Sequence, residues 1–311
     1  MKPTLGASSL LDRLSHKRSD TAFLDALVKE PSSRFLLLVG HKPVIVSNED
    51  RSEASTRWFS RLELAAMGLA GADTLFLGVD RQTGAGHFAV AITDHRARAV
   101  PGGLEALRPT VDLRTIATQG IMPPDEVSLI GKARALAAWH DNARCCGHCG
   151  GTTNVKDGGW RRKCWACGLE TFPRIDPVVI MLVTDGSRCV LGHEPRFPAS
   201  MYSAIAGYLE PGEDLDHAVR RETFEEIGLE VDDVRFHSTQ PWPFPHSLMI
   251  GCFAHTSPRE LKIDYNELTD ARWFSKAEVK QMLDHRHAEG LWVPGHQAIA
   301  NILIKAWVAG Y

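Results

Sequence analysis

The chain of 311 residues has no apolar run long enough to cross a bilayer; its longest runs, such as residues 178–183, have the length of a strand. It also lacks an excess of either charge. Lys and Arg number 35 against 38 Asp and Glu, and the formal net charge of −3 gives no bulk attraction to nucleic acid or to an anionic membrane. The first thirty residues mix Asp, Arg, Lys and His with Leu and hold no continuous apolar core, so no secretory leader is expected. The closing Ala309-Gly310-Tyr311 is not a peroxisomal tripeptide, and the cytoplasm is the expected compartment. Cysteine is scarce, at seven residues, and four of the seven stand in two pairs. A composition 44% hydrophobic over this length is enough to bury two cores.

The most informative stretch is 207–229, GYLEPGEDLDHAVRRETFEEIGL. At about 100° per residue on a helix, Leu215, Ala218 and Val219 share one face with Glu222 and Glu226, while Asp216, His217 and Arg220 fall opposite. The two glutamates therefore extend the stripe that should face the interior, with Glu225 next to them. Carboxylates this close repel one another, and on an inward face they require a cation or strong donors. A divalent metal answers that requirement, and behind the metal a phosphate substrate. Arg221 can hold one glutamate by a bidentate contact. The alternative for such a cluster is a solvated helix face, which the angular position argues against.

Two further motifs stand out. Residues 239–247, TQPWPFPHS, alternate prolines with aromatics, so an extended, stiff segment is expected, presenting Trp242 and Phe244 for stacking on a flat heterocycle; the alternative is a loop packed beside the core. Cys146-x-x-Cys149 and Cys164-x-x-Cys167 form two thiol knuckles around a glycine-rich stretch that suits a hairpin. They predict a tetrahedral zinc ribbon in which four thiolates leave no open position, so the zinc is structural, one per chain. Disulfides are the alternative, disfavoured where no secretory leader is seen. Cys145 does not fit the two-residue gap, and Cys189 and Cys252 read as buried small hydrophobes. The run Arg161-Arg162-Lys163 could meet a phosphate backbone, although solvation is the commoner fate of such a run. His246, His285 and His287 have no carboxylate at helical spacing and read as surface or packing residues.

Strands are expected at 35–39, 44–46, 74–77 and 88–92 with a helix at 58–67 among them, then a helix at 125–141 started by Pro123-Pro124. After the ribbon, strands are expected at 178–183, 189–191, 234–237 and 248–254, and helices at 275–283 and 296–308. The division is 1–122, a linking helix 123–143, the ribbon 144–172 and a last domain 173–311. Its fold class is mixed α/β.

The spacing of Gly207, Glu213, Arg221-Glu222, Glu225-Glu226 and Gly228 resembles the Nudix box of the Nudix hydrolases, with one departure: Thr223 stands where an aliphatic residue is usual. The segment 239–247 resembles the SQPWPFPxS signature of the NADH pyrophosphatase branch, with Thr239 in place of Ser. The resemblance implies an α/β/α sandwich for 173–311, a degenerate Nudix-like N-terminal domain, a homodimer and a catalytic Mg²⁺ or Mn²⁺. It implies metal ligation by Glu222, Glu225, Glu226 and, outside the box, Glu267, with Glu226 assisting the attacking water and Arg221 among the catalytic residues. It further implies a pocket of Tyr208, Trp242, Ser247, Met249, Ile180 and Ala300, joined by Phe172 reaching the partner subunit's pocket. The implied reaction is hydrolysis of NADH or NAD to nicotinamide mononucleotide and AMP, with NAD-capped RNA as a second substrate. ADP-ribose or a dinucleoside polyphosphate is the rival substrate, which the proline-aromatic signature disfavours. A non-enzymatic, nucleic-acid-binding ribbon is the rival class; it would leave the inward glutamates without purpose and calls for a more basic chain.

Overall fold

The computed structural model describes residues 10–50, 52–107, 110–257 and 259–310; residues 1–9 of the expected N-terminal domain and Tyr311 lie outside the described residues. The chain divides into two compact units, one of Gly6–Arg174 with Pro243–His246 and one of Ile175–Trp242 with Ser247–Tyr311.

In the C-terminal unit the strand Asp176–Thr184 is the axis of a six-stranded mixed sheet. It pairs in parallel with Ser247–His255 and antiparallel with Arg188–His193 and Ile205–Tyr208. Asp233–Trp242 and Asp270–Ser275 complete the sheet. Alternation along the axial strand divides its side chains between two cores. Val179, Met181 and Val183 pack with Ala218, Val219 and Ile227 of the helix Leu215–Ile227. Ile180 and Leu182 pack with Val279 and Met282 of the helix Lys276–Leu283 and with Leu303, Ile304 and Trp307 of Ile299–Val308. A sheet covered by helices on both faces is the expected α/β/α sandwich. Cys189 and Cys252 are fully buried within these cores.

The N-terminal unit repeats this strand plan. Arg34–Val39 pairs in parallel with Gly86–Ile92 and antiparallel with Lys42–Pro43 and Trp58–Phe59, and Thr74–Asp80 lies antiparallel on Gly86–Ile92. Each unit even carries one register shift in the corresponding strand, between Phe76 and Gly78 here and between Phe236 and Ser238 there. The element after Trp58–Phe59 corresponds to the glutamate-bearing helix of the other unit. It is only the short helix Arg61–Ala66, and its one carboxylate, Glu63, closes a capping box with Ser60. That cap is why the expected helix at 58–67 begins late: residues 58 and 59 are strand.

Two other boundaries move. The last helix starts at Ile299 rather than 296, after an extended Ala298. The proline-aromatic segment is extended only to Trp242, where Asp233–Trp242 ends, and residues 243–246 form the turn before Ser247–His255.

The ribbon is the three-stranded sheet Thr153–Lys156, Arg161–Cys164 and Glu170–Thr171. Its hairpin tip is tied into the N-terminal unit: Trp160 donates its indole N–H to the Phe76 carbonyl at 2.7 Å. The basic run is neither free for phosphate nor simply solvated. Arg161 bonds Glu170 and Asp157, and Lys163 pairs with Glu170. Arg162 is buried and donates to the Thr153 hydroxyl, the Thr153 carbonyl and His140 Nδ1 at 2.7–2.8 Å. Because Nδ1 accepts, the His140 ring carries its proton on Nε2, 2.8 Å from the Gly159 carbonyl. Arg162→Ala should therefore cost about 3 kcal/mol, whereas Lys163→Ala, at a solvated pair, should cost under about 0.5 kcal/mol. Urea melts of the two variants check this, and equal losses would contradict the role given to Arg162.

Candidate active site

The box begins at the end of the strand Ile205–Tyr208 and runs through a turn in which Glu213 accepts the Glu210 amide at 2.9 Å. Asp214 caps the helix Leu215–Ile227 by accepting the His217 amide, and Gly228, at φ 70°, ends it in the left-handed region. Thr223, in the usually aliphatic position, is fully buried and donates its hydroxyl to the Val219 carbonyl one turn earlier. Its methyl packs and its one polar atom is satisfied, which is why the substitution leaves the helix intact.

Arg221 is the hub of the site. It grips Glu213 through two bonds of 2.6 and 2.9 Å, and also reaches Glu222, Glu225 and the Tyr208 carbonyl, each at 2.9 Å. The bidentate partner open in the sequence is thus Glu213. The guanidinium holds its carboxyl down at about 2, with the Glu210 amide adding to the effect. Glu222 is buried and pressed against the backbone of Gly207, where a Cβ would lie 1.8 Å from its carboxyl carbon. Only glycine permits that approach. Glu225 is exposed and held by Arg221.

Glu226 differs from its neighbours. It is 4% exposed, and Arg221 does not bond it. Burial raises its carboxyl to about 8, and the charges of Glu222, Glu267 and Glu194 add to the effect, while the Ala206 amide opposes it. Burial likewise raises Glu222, against the pull of Arg221. The segment carrying Glu267 is stitched to the end of the same helix, because the Lys262 and Asp264 amides donate to the carbonyls of Ile227 and Glu226 at 2.9 Å. Glu194, just past Arg188–His193, is an acidic neighbour that sequence reasoning missed; it belongs to no motif, and only the sheet brings it near. Among the described residues the acidic groups do not close into a set as tight as the cysteines, whose sulfurs lie within 4.8 Å of one another. A concentration of negative charge around a buried carboxyl that has no basic partner among the described residues is a donor set that fits a divalent cation.

Six of the seven pocket candidates lie in the C-terminal unit, in two groups. Tyr208, 60% exposed, and Met249 flank Val178 on neighbouring strands, and Trp242 pairs with Ser247 across the hairpin. Ile180 and Ala300, 5% and 2% exposed, lie inside the core cluster that Met249 borders. Phe172 is 61% exposed and belongs to the N-terminal unit. Phe244 is not free for stacking as expected: the guanidinium carbons of Arg114 and Arg134 lie 4.8 and 5.2 Å from its ring centroid. Gln240, also missed, is fully buried and bonds the Gln297 carbonyl and the Ile299 amide, pinning this strand to the last helix.

The four thiols are free and pair as Cys146 with Cys167 at 3.7 Å and Cys149 with Cys164 at 3.5 Å. Tetrahedral Zn–S bonds place sulfurs about 3.8 Å apart, so the set fits zinc and closes its coordination sphere. The Cys167 and Ala166 amides donate to Cys164 and hold its thiol down at about 6, while against the Gly151 amide the neighbouring thiols push Cys149 up to about 12. Cys145 stays outside the set.

Residues 174–293 match the NUDIX domain, and residues 32–139 match the NADH pyrophosphatase-like rudimentary NUDIX domain. The chain belongs to the NADH pyrophosphatase family of Nudix hydrolases. Over 193 residues it is 44% identical to the NAD-capped RNA hydrolase NUDT12 of Macaca fascicularis, covering 59% of this chain and 42% of that one. Over 210 residues it is 42% identical to the NAD-capped RNA hydrolase NudC of Mycobacterium bovis, covering 64% and 65%. The human mitochondrial NAD(P)H pyrophosphatase NUDT13 is 39% identical over 194 residues, covering 59% and 55%. The chain spans about half the length of these relatives. No described helix is long and apolar enough to cross a membrane.

The raised carboxyl of Glu226 has a consequence for stability. Its folded value of about 8 lies above the ordinary 4.5, so its contribution is fully present below about 4.5 and is lost as pH rises through about 8. In metal-free protein, the melting temperature of Glu226→Gln should overtake that of the wild type increasingly between about pH 5 and pH 9, and Mn²⁺ should close the gap. A gap independent of pH in calorimetric scans would contradict the burial argument.

Proposed function

We propose that this chain hydrolyses the diphosphate bridge of NADH or NAD, giving nicotinamide mononucleotide (reduced or oxidised, as in the substrate) and AMP, and that it removes NAD caps from RNA by cleaving the same bond. The observation that carries the proposal is Glu226, a buried carboxyl with no basic partner among the described residues, beside Glu222 on the inward face of the box helix. The names of the relatives support the substrate class.

Glu222, Glu225 and Glu226, with Glu267, would hold Mg²⁺ or Mn²⁺. Such an ion neutralises the diphosphate and makes a bound water more acidic. The chain's own part is positioning and charge. Arg221, anchored on Glu213 and the Tyr208 carbonyl, fixes the box turn against the helix. Gly207 lets Glu222 reach the strand end. Glu226 accepts a proton from the attacking water as the water oxygen bonds phosphorus and the bridging P–O bond breaks. Tyr208 and Trp242 stack on the nicotinamide, with Ser247 and Met249 beside them and Ile180 and Ala300 backing the pocket from the core. The thiol set would hold one Zn²⁺ as a structural ion. The family resemblance supports a homodimer in which Phe172 serves the pocket of the partner subunit, and seven free thiols suit the cytoplasm.

The test compares kcat/KM with Mg²⁺ or Mn²⁺ for NADH, NAD, NADPH, ADP-ribose and NAD-capped RNA. The expected ranking places nicotinamide dinucleotides above ADP-ribose, and Glu226→Gln should lose on the order of 10³-fold or more with its fold intact. ADP-ribose as the best substrate would move the reading to another Nudix activity, and near wild-type turnover by Glu226→Gln would remove the role given to that residue.

A further inference from the structure

The N-terminal unit holds a group of cations that the hydrolytic reading does not use. The strand Thr74–Asp80 shifts register between Phe76 and Gly78, and two consecutive carbonyls at this point receive side chains. The Phe76 carbonyl accepts the indole N–H of Trp160 at 2.7 Å, and the Leu77 carbonyl accepts Lys132 Nζ at 2.8 Å. The Arg18 guanidinium carbon lies 3.6 Å from the Trp160 ring centroid. Its Nε is shut off from solvent without a hydrogen-bond acceptor. Arg13, exposed, acts on both Arg18 and Lys132 as a repelling charge.

None of Arg13, Arg18 and Lys132 is in an ion pair among the described residues. The adjacent Asp12 accepts the Leu14 amide at 3.1 Å. Burial, with Arg13 and Arg18, pushes the Lys132 ammonium down to about 7. Lys132 keeps two N–H donors beyond the one given to Leu77, and a guanidinium offers donors in a planar fork that matches an oxyanion. Cations that repel one another and hold no ion pair among the described residues gain from an anion that joins them, and a phosphate group has the charge and the acceptor number to serve all three.

We propose that Arg13, Arg18 and Lys132, beside the Trp160 indole, form a binding site for a phosphate group, so that the rudimentary Nudix unit retains a ligand although it lacks the box carboxylates. The group can come from free inorganic phosphate or from a mononucleotide. Titration calorimetry on the whole, zinc-loaded chain at constant ionic strength, without Mg²⁺ or Mn²⁺, tests this with inorganic phosphate in one arm and AMP in the other. Saturable one-to-one binding of inorganic phosphate is expected, weakened at least tenfold by Arg13→Gln and by Lys132→Met and unchanged by Lys163→Ala. AMP binding with the same response assigns the site to nucleotide phosphate as well; AMP without that response assigns it to the free ion. Absence of saturable phosphate binding, survival of binding in both cation variants, or an equal loss in Lys163→Ala would overturn the proposal. Arg13 is exposed and unpaired, so Arg13→Gln keeps the test valid should Lys132→Met fail to fold.

Discussion

The structure depends on keeping carboxylates on the buried side of a helix. Ionised carboxyls there cost several kcal/mol each unless something positive answers them. Arg221 answers Glu222 there, along with Glu213 of the preceding turn and the exposed Glu225, and leaves Glu226 alone. The surrounding features serve this arrangement. Gly207 gives Glu222 room, Asp214 and Gly228 set the length of the helix, and the Lys262 and Asp264 amides bring Glu267 to its end. The Ala206 amide is a lone donor against the charge of three neighbouring glutamates. Such a site is poor as protein structure and good as a place for a divalent cation.

The two units show how far one scaffold can diverge in chemistry. Both place a parallel strand pair at the sheet centre, with the same antiparallel neighbours and a register shift in the same strand. In the C-terminal unit the helix after the short strand is 13 residues long and carries the glutamates; in the N-terminal unit it has six residues, and Glu63 serves as its cap. Fold alone does not confer an activity, and the two units differ in the carboxylates on that helix.

Much of this was legible in the sequence because it rests on local periodicity and fixed spacing. The inward face of Ala218, Val219, Glu222 and Glu226 follows from helical angle, and the four-thiol set follows from two knuckles. Contacts made across the fold were not legible. The burial of Arg162 depends on His140 and Thr153, and the basic run gives no sign of it. Phe244 reads as a free stacking surface until Arg114 and Arg134 are seen against its ring. Glu194 and Gln240 sit in no motif. The helix expected at 58–67 begins at Arg61 because Ser60 and Glu63 close a capping box, and both residues are plain in the sequence.

The central claim is that Glu226 stays protonated at neutral pH until a divalent cation draws off its proton. Calorimetric titration of the zinc-loaded chain with Mn²⁺ at about pH 7, in two buffers of different ionisation enthalpy, counts the protons released on binding. The account predicts release of close to one proton per bound ion in the wild type and none in Glu226→Gln. Binding without proton release in the wild type would contradict it.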